Sequence, residues 1–344
     1  MSNEIHYTDY LNLSSLLKSQ NLESENRNEI AHEEMLFIVT HQTFELWFKQ
    51  MLWELDSIIG ILTADNVEDR SMSVVVHRLS RVNEIWKLLI GQISVLETMT
   101  PLEFLEFRNL LYPASGFQSK QFRLIENKLG LDSQNRKLHS GCPYHQFLKA
   151  EEKSEVLDAE NNPTLKSSVE KWLERTPYLK TEDYDFWSDY ENSVNRMLSN
   201  EVELIKQSQL NDEDMERSIS SIHDTKNEFN DFMSKRSFKP EDWSFSFESL
   251  QSALFIQLYR HEPKLQLANR LIEELIQMDE HMTLWRTRHA QMAFRMLGEK
   301  VGTGGSSGAK YLKEATDSHR VFKDFFKLTT YFIDGRRLTR PKHL

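Results

Sequence analysis

One cysteine, Cys142, stands in 344 residues, so no disulfide can close within the chain and nothing points to folding in an oxidising compartment. Helix breakers are scarce too. With 11 glycines and 8 prolines, segments can run long between turns, and that favours helix. No run approaches the roughly 20 apolar residues that would span a bilayer, and the opening MSNEIHYTDY has no basic flank before an apolar core. A soluble, cytoplasmic protein without a membrane anchor is expected. Basic excess is also missing: the net charge is -11 with no sizeable basic patch, which opposes nucleic acid as a partner. What the chain does have is 39% hydrophobic residues, ample for an extended core.

Those residues recur with helical period. From Ile30 to Leu62 the seam Phe37, His41, Phe44, Phe48, Met51, Leu55, Ile58, Leu62 steps by fours and threes, predicting one long amphipathic helix. A second is predicted from about Met72 to Met99. A third opens at Thr100, Pro101 and Glu103, a capping box with proline in the first turn, and ends near Tyr112. A fourth runs from Phe117 to Leu129 and is closed by Gly130. Residues 131–165, with Gly141, Pro143 and Asn161-Asn162-Pro163, read as a polar, irregular insertion. Lys166 to Arg175 is helical, and a charged helical hairpin follows over about 184–233. Phe245 to Arg260 and Lys264 to Leu297 complete the helices, Gly298 stopping the last. No repeat or linker divides the chain, so the expected fold is all-α, one helical bundle-like domain over 1–344 with an N-terminal arm of about 20 residues.

Two seams each carry one imidazole. His289 lies among Leu271, Leu275, Met278, Met282, Trp285, Met292 and Met296, and His41 occupies the matching place on the first long helix. Each fits a core histidine bonded to a backbone carbonyl. Together they also fit a haem slot, because a flat apolar macrocycle needs Met and aromatic walls, an imidazole for iron and a polar group on the other side.

Other motifs carry less. GTGGSSG, Gly302 to Gly308, follows a helix, lacks the Gly-Lys-Ser/Thr ending of a P-loop and has Ser307 where a dinucleotide fingerprint needs glycine, so nucleotide binding is disfavoured. Glycines there would still let hydroxyls and amides fold over a small polar ligand. His139, Cys142 and His145 are too few for a structural zinc site. Phe104 and Arg108, four apart, put an aromatic and a guanidinium on one face, either a snorkelling core-edge arginine or a bidentate clamp for a carboxylate.

The blocks FIVTHQTFELWFKQMLWELDS (Phe37 to Ser57), LETMTPLEFLEFRNLLYPASGFQS (Leu96 to Ser119), KWLERTP (Lys171 to Pro177), YRHEP (Tyr259 to Pro263) and RMLGEKVGTGGSSG (Arg295 to Gly308) resemble the tryptophan 2,3-dioxygenase family, in the right order and across nearly the whole chain. The resemblance implies haem b, one per subunit and ferrous when active, with His289 as the axial iron ligand and His41 as the distal histidine that accepts the indole N–H. It implies that Phe37, Ile38, Val39, Thr40, His41 and Phe104 line the substrate, that Arg108 pairs with its carboxylate, and that Thr303, with a haem propionate, holds the ammonium. Ser115 would lie near the distal pocket. Tyr7 and Tyr10 match a segment that enters a neighbouring subunit's site, implying a homotetramer with exchanged N-terminal segments. The implied reaction joins L-tryptophan and O2 to give N-formyl-L-kynurenine.

Alternatives are a non-catalytic haem sensor, which has little use for Arg108 and Thr303, and a helical scaffold with no cofactor. Lys120, where an apolar residue is expected after GFQS, the poorly matched 131–165 segment and the short basic tail DGRRLTRPKHL depart from the family pattern.

Overall fold

The computed structural model describes residues 4–131, 143–298, 300, 320–342 and 344. Among them there is no strand, only an isolated bridge between Lys180 and Asp185, and the all-α expectation holds. The described chain divides into two compact units, the first comprising Met1–Ser57, Ser80–Asn162 and Met278–Val321, the second Ile58–Leu79, Pro163–Gln277 and Phe322–Leu344.

The first unit opens with the short turns α1 (Tyr7–Tyr10), α2 (Leu13–Leu16) and α3 (Glu23–Asn26), then takes most of α4 (Glu33–Leu62). On α4 the seam is buried from Phe44 onward, with Met51 and Leu55 fully covered, as the four-three spacing requires. Helix α5 (Asp69–Leu96) runs antiparallel to it: Arg81 bonds Glu54 while Gln92 reaches Thr40 and Thr43, so numbers fall on one as they rise on the other. The Thr100 capping box is formed, its hydroxyl accepting from the Glu103 amide, and α6 (Pro101–Arg108) follows.

Two readings of this region are corrected. The helix expected from Phe117 is a 3-10 turn, Gly116–Gln118, and α7 (Lys120–Leu129) starts one element later because the Ser119 hydroxyl caps it. Gly130 closes α7 with φ 97°, a left-handed conformation that suits glycine. Lys120, out of place by pattern, is satisfied by Glu155 at 2.7 Å. The segment expected to be irregular contains α8 (Ala150–Glu160), whose few apolar residues, Val156 and Ala159, bury against Leu124 and Leu148.

The second unit holds α9 (Leu165–Glu174), the charged pair α10 (Phe186–Lys206) and α11 (Asp212–Met233), α12 (Phe247–Leu258) and the short α14 (Lys323–Lys327). The charged pair buries Phe186, Tyr190, Val194 and Leu198 on one helix and Phe229 and Phe232 on the other, and no residue from 199 to 228 is buried. Helix α13 (Gln266–Leu297) crosses the boundary at Met278 and ends at Gly298 with φ 59°. Among the described residues no single helix is long and apolar enough to cross a membrane.

Candidate active site

Within the first unit, α4, α6 and α13 bring an aromatic cluster around the two seam histidines. On α4, Phe37 lies one turn before His41, with ring centroids 4.1 Å apart. Phe104 and Phe107 of α6 meet Phe37 at 5.8 and 5.6 Å. On the other side of His41, Phe44 touches Trp285 of α13, and Trp285 lies parallel to His289, 5.3 Å away with an interplanar angle of 3°. The structure thus gathers Phe37, His41, Phe104 and His289, residues separated by up to 252 positions in the chain.

The protonation of His41 follows from one bond. Its Nδ1 is 2.7 Å from the Phe37 carbonyl oxygen, which can only accept, so Nδ1 carries the hydrogen. In the neutral ring Nε2 is then a lone-pair acceptor. Burial pushes the His41 pKa down, against the opposing effects of that bond and of Glu45, which keeps the ring neutral at pH 7. His289 is pushed down to about 4, by burial first and then by nearby His41, whose positive form would repel a second imidazolium. Both rings nevertheless retain some accessible surface. The side chains that contact the two rings are aromatic, Phe37 and Phe44 at His41 and Trp285 at His289. Trp285 Nε1 is buried there with no partner among the described residues. Two neutral imidazoles, one with a free acceptor nitrogen, and an apolar wall suit a planar apolar cofactor whose metal takes nitrogen. Among the described residues no group of three His, Cys, Asp or Glu forms an alternative metal site.

Other expected site residues fall variously. Arg108 ends α6, half-buried, one turn beyond Phe104. Thr40 is buried, and its carbonyl accepts from Gln92 at 3.0 Å. Ile38 is half-buried. Val39, by contrast, is 41% exposed and lies about 160° round α4 from both Phe37 and His41, so the structure does not bring it to their face. Ser115 caps the 3-10 turn through its hydroxyl, which accepts from the Phe117 amide. Tyr7 and Tyr10 are exposed. Thr303, the Gly302–Gly308 loop, His139 and Cys142 lie outside the described residues.

A buried charge network was missed by pattern alone. Glu126 of α7 accepts from Arg123 and Arg286, both at 2.8 Å, and all three side chains are nearly covered. Arg286 sits one position after Trp285 and three before His289, and it lies over Phe122, whose ring in turn contacts Trp285. Spacing gave no warning of it, since a charge on an amphipathic helix ordinarily faces solvent.

The sequence pattern of the tryptophan 2,3-dioxygenase family matches residues 1–332. The chain belongs to that family. Tryptophan 2,3-dioxygenase of Bdellovibrio bacteriovorus is 46% identical over 96% of this chain and 93% of its own length. The same enzyme of Dictyostelium discoideum is 41% identical over 98% of this chain and 86% of its own length, and that of Rattus norvegicus 41% over 95% and 82%. The match spans both histidine-bearing helices.

Proposed function

We propose that the chain cleaves the indole ring of L-tryptophan with O2, giving N-formyl-L-kynurenine, in the cytoplasm and as a homotetramer that exchanges its N-terminal segments. The observation carrying this reading, beside family membership, is the fixed tautomer of His41 in the aromatic cluster near His289. A neutral imidazole with Nε2 as acceptor is the partner an indole N–H needs. His289, neutral and set in an apolar wall, would hold haem b through its iron. Bound there, haem supplies the iron that binds and activates dioxygen.

The protein's own contribution is positional. Phe37 and Phe104 would flank the indole, and His41 would fix its rotation by accepting N1–H. Arg108 would pair with the carboxylate through a planar fork, which sets the amino-acid end and excludes amines that lack it. Thr303 would receive the ammonium. Holding the indole in one orientation would convert an encounter into a reaction within one complex, and the aromatic side chains would exclude bulk water. Tyr7 and Tyr10, exposed on their own chain, would complete a neighbour's site.

The test is oxygen uptake by the reduced, haem-loaded protein with and without L-tryptophan, with the product's absorbance followed in parallel. Uptake that depends on tryptophan and matches product one for one is expected. Haem binding without tryptophan-dependent uptake would leave a sensor, and a colourless protein that takes up no haem would leave a scaffold.

A further inference from the structure

Helix α4 is apolar on two sides. Opposite its buried seam, Val39, Leu46 and Trp53 repeat every seven residues and are 41%, 50% and 75% exposed. Seven residues drift only about 20° on an α-helix, so the three form one straight stripe. Helix α5 shows the same feature, with Leu88 at 48% and Val95 at 50%, again seven apart. The two stripes adjoin. Gln92 meets Thr40 and Thr43, and one turn either way along antiparallel helices puts Val95 beside Val39 and Leu88 beside Leu46. Between Leu88 and Val95 stands Gly91, exposed in mid-helix, where an added Cβ would meet nothing within 4 Å. The described residues therefore give no packing reason for a residue that weakens helices.

We infer that this α4–α5 face is where a second copy of the chain docks, with Gly91 allowing the close approach of the partner's backbone. The inference rests on the homotetramer reading above and assigns it a surface. The five exposed side chains present on the order of 500 Å² of mostly apolar area, at the upper end of what a monomer shows. Paired with itself, the face would remove about 1,000 Å² from water, the threshold for a specific interface, before polar rim residues are counted. Charge selects the occupant. Two chains of net charge -11 repel each other and must meet where carboxylates are absent or neutralised. The five residues carry none, and neighbouring Glu84 is paired with Lys87 at 2.7 Å. The lysines beside this face are few, Lys49 and Lys87, and Lys87 is already paired with Glu84, so a chain of net charge -11 is ill suited to an anionic lipid surface.

The experiment compares sedimentation velocity of wild type, Leu46→Glu/Leu88→Glu and Gly91→Leu, with Leu204→Glu, a change at an exposed leucine on α10, as control. Circular dichroism of each variant checks that the helices are intact. The expected result is a multimeric wild type and control, and smaller species for both face variants. Gly91→Leu is the sharper arm: it fills space that is open among the described residues, so loss of assembly with helices intact reports a neighbour. A multimeric wild type whose face variants sediment unchanged would overturn this inference and leave the homotetramer standing. A monomeric wild type would overturn both and leave the face to a different partner.

Discussion

Replacing Glu126 with glutamine keeps the shape of the side chain but removes the carboxylate charge to which two guanidinium groups bond. The side chains of Arg123, Glu126 and Arg286 are 8%, 2% and 6% exposed, so water cannot take over. For Arg286, burial lowers the pKa more than Glu126 raises it, which means the cation is tolerated there only with its partner. Removing one member of such a buried pair costs about 3 to 5 kcal/mol. At about 2 to 4 °C per kcal/mol for a body of this size, the unfolding midpoint should fall by roughly 6 to 20 °C. The assay is thermal unfolding by far-ultraviolet circular dichroism, with Glu213→Gln as reference. Glu213 also binds an arginine, Arg217 at 3.1 Å, but is 83% exposed, and its loss should cost less than about 1 kcal/mol. Glu126→Leu combined with Arg123→Met and Arg286→Met should recover much of the loss, because all three desolvated charges go together. If Glu126→Gln melts within a degree or two of wild type, the network is hydrated in solution and the burial argument fails.

Arg108→Ala should lower kcat/KM for L-tryptophan by about thirtyfold or more, since truncating one partner of a desolvated ion pair costs roughly 2 to 5 kcal/mol. Tryptamine, which lacks the carboxylate, should be a poor substrate for wild type and lose little further; equal losses for both would assign Arg108 a structural role. His41→Ala should keep its haem and retain part of its turnover, a neutral hydrogen bond being worth on the order of 1 kcal/mol, and should discriminate less than wild type against N1-methyl tryptophan. Undiminished discrimination would remove His41 from the indole N–H. Haem uptake by the apoprotein should be level from about pH 7 to 5 and fall as pH drops through about 4, because protonation of His289, held there by burial, competes with iron; half-loss near 6.5 would show that His289 titrates as an exposed ring.

Elements with a strong period were legible in the sequence. The α4 seam and the Thr100 cap were legible because a long apolar repeat and a local reciprocal hydrogen bond are written in adjacent residues. Helix α8 was not: its charged turns bury only Val156 and Ala159, too few to show a period. The Arg286–Glu126 pair lies 160 residues apart, and no local signal foretells it. For His41 the ordinary and the functional readings turned out compatible, since the carbonyl bond of a core histidine is what leaves Nε2 available. That Val39 points away could have been read from helix geometry, as five consecutive residues cannot share one face.

The arm is tied down close to His41. Gln42 donates to the Ser19 carbonyl at 3.2 Å and accepts from Gln20 at 2.7 Å, while buried Glu34 holds the amides of Glu23 and Ser24. From that knot to Tyr10 is nine residues, at most about 30 Å of chain even if fully drawn out, and the turn of α2 shortens it. The tyrosines are therefore on a short leash whose peg is the helix that carries His41. Any site that Tyr10 completes must lie within that radius of Gln42, so two exchanging chains would have to bring their His41 residues near one another, and a change at either knot would be felt at both.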